Sequence, residues 1–136
     1  KNILVFLNEY LYAQNKGIPF KFESNVNVEH IMPASGHNVD TIRIDAGIGT
    51  REEFDNLVNK LGNKILLEEN INKSVSNDWF KTKKGTTVQS KQGYLGSEFG
   101  LANALAHYPK DKWKKSDIKQ FTEDAAQRIA NFIFHK

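Results

Sequence analysis

Glu29 and His30 stand side by side in the run Glu29-His30-Ile31-Met32-Pro33. A carboxylate able to hold a cation there adjoins an imidazole able to take a proton at neutral pH. Neighbours on a strand point to opposite faces, so the two can serve one site only where the chain bends. Pro33, which cannot continue a central strand, marks the expected bend. After 32 intervening residues comes Asn63, whose amide can hydrogen-bond an imidazole nitrogen and hold its tautomer. Asn72 lies nine residues further on, and its amide oxygen is a hard ligand suited to Mg²⁺ or Mn²⁺ beside a carboxylate. Taken singly, these residues have ordinary uses. A histidine beside a proline at a strand end is commonly structural, and the chain's 14 asparagines suit turns. The signal is their joint order.

The elements that must position them are readable from periodicity. Ile3, Phe6, Leu7, Tyr10 and Leu11 recur at helical spacing and predict a helix over 2–15, stopped before Gly17 and Pro19. Residues 20–32 alternate as a strand arriving at Pro33, and the glycine-rich stretch 34–50 reads as loop. Thr50 predicts an N-cap, with Glu53 completing a capping box, before the apolar stripe Phe54, Leu57, Val58 and Leu61 and the stop at Gly62. A second strand follows at 63–67, then a helix from Asn70 to about Lys84. Another spans Tyr94 to Leu105 and ends by Pro109, and a last one is capped by Ser116. A two-stranded element with one helix is too small to fold alone, so the flanking helices must supply its core.

Composition bounds the rest. The chain has 136 residues, 39% of them hydrophobic and 15 of them aromatic, enough for one folded domain over 1–136. The longest apolar run, Ile3 to Leu7, is far too short to span a bilayer, and Glu9 interrupts any signal-peptide reading. Absence of cysteine excludes disulfides, thiolate zinc and a cysteine nucleophile. The opening residues already read as mid-helix, which suggests a piece of a longer protein with a sensor or NTPase-like module upstream. Charge is uneven: residues 1–59 carry five basic and eight acidic side chains, whereas 60–91 carry seven lysines against three acids. The dense run Lys81, Lys83, Lys84 behind Lys73 is compatible with a phosphate-backbone partner, while on charge alone a solvated helix end is the favoured reading. Sixteen lysines against three arginines argue against a bidentate base code.

The segments Glu29-His30-Ile31-Met32-Pro33, Gly62-Asn63-Lys64-Ile65, Asn72-Lys73-Ser74 and Phe80-Lys81-Thr82-Lys83 resemble the HNH, or ββα-metal, endonuclease superfamily. Their nearer likeness is to the HNH nuclease domain that closes GmrSD-type restriction and phage-defence proteins. The resemblance covers residues 26–84 best and the flanking helices more loosely, through Trp113, Ile118 and Arg128. It implies an α+β fold: a ββα-metal core at 26–84 with an insertion at 34–62, an N-terminal helix and lead-in at 1–25, and covering helices at 85–136. It also implies metal-dependent, nicking hydrolysis of DNA in a prokaryotic cytoplasm. On that reading His30 is the general base and Asn63 orients it. Glu29 and Asn72 hold one Mg²⁺ or Mn²⁺ ion, and Lys73, Lys81, Lys83 and Lys84 meet the DNA backbone. Glu29 stands where many members have Asp. His37 suits a surface loop, His107 and His135 suit helix ends, and Trp79 and Phe80 suit the core better than base stacking. Two rivals belong to other classes: an inactive HNH scaffold that binds DNA without cutting, and a domain that regulates its partner.

Overall fold

The computed structural model describes residues 2–20, 25–86 and 92–135. Helix α1 (Ile3–Lys16) leads to strand β1 (Val26–His30), then helices α2 (Val39–Asp45) and α3 (Arg51–Val58). A 3₁₀ turn (Leu61–Asn63) opens strand β2 (Lys64–Glu68), which runs straight into α4 (Glu69–Val75). Short α5 (Phe80–Lys83), a second 3₁₀ turn (Tyr94–Gly96), α6 (Gly100–Ala106) and α7 (Lys115–Phe134) complete the order. β1 and β2 pair antiparallel with Val26 opposite Glu68 and His30 opposite Lys64. The fold is α+β, seven α-helices among the described residues around a two-stranded sheet, and β1-β2-α4 forms its ββα unit. No helix among the described residues is long and apolar enough to cross a membrane.

Local chemistry explains where these elements begin and end. The Thr50 hydroxyl accepts from the Glu53 amide at 3.1 Å, so α3 starts where its capping signal lies. The stretch expected as loop over 34–50 contains α2, which buries Ile42 and is followed by buried Ala46 and Ile48. The helix expected over 70–84 breaks into α4 and α5. Ser76 turns the chain with φ of 46°, a left-handed conformation that costs a non-glycine residue about 1–2 kcal/mol. The helix expected from Tyr94 breaks at Ser97, where Glu68 accepts from the Ser97 hydroxyl and the Glu98 amide. Ser116 is not the cap of α7. That helix starts at Lys115, and Asp117 reaches back to accept from the Lys114 amide at 2.8 Å. Of the strand expected over 20–32, residues 21–24 lie outside the described residues, and the described part is Val26–His30.

The core runs from Val5 of α1 through Ile65, Leu66 and Leu67 of β2 to Ile118 of α7. At its edge Phe80, Tyr108, Trp113 and Phe121 pack edge-on or tilted, with centroids 4.8–5.8 Å apart. Phe80 is thus core, as its spacing implied. Gly62 is required by close approach: a Cβ there would lie 2.3 Å from the Thr122 amide nitrogen of α7.

α6 is capped from a distance. Buried Glu9 of α1 accepts from the Gly100 and Leu101 amides at 3.0 and 3.2 Å. Burial pushes its carboxyl up from 4.5 to about 7, although both amides and the Arg128 charge oppose the rise. Between those values the folded chain keeps a proton that the unfolded chain has released. Stability from this group is therefore full below pH 4.5 and is lost as pH rises through about 7. Urea denaturation across that window should show a fall of about 2–3 kcal/mol in the wild type. Glu9→Gln, which keeps an acceptor, should flatten it.

Candidate active site

β1 ends at His30, and the chain bends at Ile31–Met32, slightly ahead of Pro33. Strand alternation turns Glu29 inward, where it is 5% exposed, and leaves His30 half-buried on the other face. Below the bend lies an open cleft of about 320 Å³ lined by Glu29, His30, Ser35, Asn72, Ser76 and Asn77, among others. His30 and Asn72 therefore meet at one surface although 42 positions separate them. α4, following β2 without a loop, carries Asn72 across to β1. Among the described residues no hydrogen bond engages the side chain of either. Desolvation, then the charges of Lys64 and Lys83, hold the His30 imidazole below its usual 6.5. That shift favours the neutral form, whose ring nitrogen can accept a proton.

Asn63 does not touch the imidazole. It is fully buried: its oxygen accepts from the Met32 amide at 2.8 Å and the Trp113 indole at 3.1 Å. Its nitrogen donates to the Met32 and Val58 carbonyls, both at 3.0 Å. All the hydrogen-bonding capacity of one amide is thus spent inside the fold, half of it on fixing the bend at Met32. The expected contact to the ring is corrected to a hold on the Met32 backbone, two residues beyond His30. The same bonds anchor the end of the 34–62 insertion, since Val58 closes α3.

Lys83 and Lys84 are corrected as well. Lys83 is 0% exposed, and its ammonium donates to Glu29 Oε2 at 2.8 Å and to the His30 and Ile31 carbonyls at 2.8 and 3.3 Å. The Tyr94 hydroxyl donates to the same carboxylate oxygen at 2.7 Å. Burial pushes Glu29 up and Lys83 down, and their mutual attraction opposes both shifts. Lys84 is also buried, donating to the Tyr108 and Lys110 carbonyls and pairing with Asp111. Neither ammonium can reach a phosphate from these positions. Lys73 and Lys81 are exposed, Lys73 pairing with Glu69 one turn away at 3.0 Å. His37, His107 and His135 are exposed. Tyr94 escaped the sequence reading, and nothing local to it points toward Glu29. Lys83 had a signal, the last position of Phe80-Lys81-Thr82-Lys83, but it was read as facing the substrate.

The donors at the cleft set what cation could sit there. No three carboxylate or imidazole side chains converge among the described residues. Glu29 commits Oε2 to Lys83 and Tyr94, whereas Oε1 makes no hydrogen bond among the described residues and is not a buried orphan atom. Glu29 is also among the residues that line the cleft. One carboxylate oxygen and the Asn72 amide fit a sparse Mg²⁺ or Mn²⁺ site, because such ions keep several waters and take further oxygens from a phosphate. A closed structural zinc site, with its Cys/His ligands, does not fit.

Comparison with known families settles the lineage. The model of GmrSD restriction endonucleases, C-terminal domain, matches residues 1–128. The chain belongs to this family. The match takes in the ββα unit and most of the covering helix α7, so the flanking helices are part of the GmrSD C-terminal domain and not additions to it. The chain is thus a restriction-endonuclease-related domain, and the resemblance read from its motifs is borne out. No curated protein and no solved structure matches it.

Proposed function

We propose that this GmrSD C-terminal domain is a metal-dependent DNA endonuclease in which His30 is the general base. The observation that carries the reading is the half-buried imidazole, without a hydrogen-bond partner among the described residues, at a cleft shared with Asn72. A ring nitrogen of His30 takes a proton from water as the water oxygen attacks phosphorus. The P–O3′ bond then breaks and the departing 3′-oxygen takes a proton from solvent water, leaving a 5′-phosphate and a 3′-hydroxyl. Glu29 through Oε1 and Asn72 through its amide oxygen would hold the ion. That ion, when bound, would polarise a phosphoryl oxygen and offset charge on the departing 3′-oxygen. Asn63 and Lys83 fix the backbone from His30 through Met32 and so support the ring's placement. Exposed Lys73 and Lys81 are suited to flanking phosphates. One such site cuts one strand.

Supercoiled plasmid incubated with the purified chain should convert to open circle with Mg²⁺ or Mn²⁺ and stay supercoiled with EDTA. Metal-independent conversion would sink the mechanism. Absence of conversion under every cation would sink the activity of this chain by itself.

A further inference from the structure

Lys64 opens β2 directly opposite His30. The Ile31 amide donates to the Asn63 carbonyl at 2.9 Å, so Ile31–Asn63 is a hydrogen-bonded position of the ladder. The adjacent pair, His30–Lys64, is therefore of the non-hydrogen-bonded kind, in which facing side chains stand closest and share one face of the sheet. Lys64 is half-buried, and among the described residues it has no ion-pair partner. This sets it apart from Lys83 and Lys84, whose ammonium groups are consumed inside the fold. A lysine with no carboxylate partner among the described residues, held beside His30 on one sheet face, suits a fixed anion far better than it suits folding. Its stem can lie along the strand while the ammonium reaches out.

We propose that Lys64 binds a DNA backbone phosphate beside His30 and so seats the strand against that ring. The inference rests on the nuclease reading of the same cleft and adds a substrate contact to it. Lys64→Gln keeps the stem and removes the charge, and Lys64→Arg restores the charge. The probe is a short unmodified DNA duplex, with KM and kcat measured on it for cleavage and Kd measured in the His30→Ala background. For Lys64→Gln, KM and Kd should rise about tenfold near 0.1 M salt, with kcat changed much less. The slope of log K against log salt should lose about 0.9, the share of one phosphate on duplex DNA. Lys64→Arg should recover most of the affinity and the slope. Unchanged KM, Kd and slope in a wild-type-active chain would overturn the Lys64 assignment and leave the nuclease standing. A chain that never cuts but loses the same slope in Lys64→Gln would overturn the nuclease and keep Lys64 as a phosphate contact. A wild type without measurable DNA binding would overturn both. A matching thermal melt for Lys64→Gln separates these outcomes from misfolding.

Discussion

Replacing His30 with alanine should lower the plasmid-nicking rate about 10²–10⁴-fold, the span expected when a positioned general base is removed. The fold should not suffer. The imidazole is half-buried and makes no hydrogen bond among the described residues, so its loss leaves no partner stranded. Thermal melting should stay close to wild type, and affinity for a duplex should hold, because the lysines proposed to meet phosphates are untouched. The pH profile gives a second readout. The base works only when unprotonated, and burial and the neighbouring lysine charges favour that form. The acid limb of the wild-type rate should therefore lie below the ordinary 6.5. A divalent cation in the cleft would push in the same direction, so the sign holds in the loaded enzyme. A His30→Ala chain that nicks at the wild-type rate would remove His30 from the chemistry.

How far this site could be read in advance depended on whether the information was local. α3 was legible because Thr50 and Glu53 write a cap within four residues, and the cap is present. The ββα unit was legible because Asn63 and Asn72 keep a fixed spacing along a strand that turns at once into a helix. α2 was missed because Val39, Ile42 and Ala46 give barely two turns of pattern among glycines and polar residues that signal loop. The misassigned roles share a different cause. Asn63 makes its bonds to residues as far away as Trp113, and Lys83 finds its carboxylate on a strand 54 positions earlier. A lysine run reads as a solvated, phosphate-facing edge unless a distant acid is known to draw one member inside. Periodicity cannot supply that acid. Glu9 capping α6 from α1 is the same kind of fact.

Lys83→Met should cost about 3–5 kcal/mol, measured as the shift in urea-unfolding free energy, because it leaves Glu29 buried without its cation. That is a large share of the 5–15 kcal/mol that holds an ordinary domain. It also strips donors from the His30 and Ile31 carbonyls, so the loss combines a stranded charge with two weakened acceptors. Glu29→Met with Lys83→Met should recover part of this, since two apolar side chains of similar size remove the uncompensated charge. Recovery should stay incomplete, because the Tyr94 hydroxyl and both carbonyls remain unsatisfied. Glu29→Gln separates the two duties of this residue. An amide oxygen can still accept from Lys83 and Tyr94, so Glu29→Gln should cost less stability than Lys83→Met, although the buried ammonium loses its counter-charge. Yet the negative charge at the cleft is gone. The Mg²⁺ concentration giving half-maximal nicking should then rise on the order of tenfold or more, by comparison with what perturbing even outer-shell partners costs a metal site. If Glu29→Gln folds and cuts with an unchanged Mg²⁺ requirement, Glu29 is only a strut. The ion would then rest on Asn72 and the substrate's own phosphate. If the requirement rises in a Glu29→Gln chain that still folds, one carboxylate serves both halves of the site. Oε2 would hold the backbone that aims His30, and Oε1 the cation on which the imidazole's water attack depends.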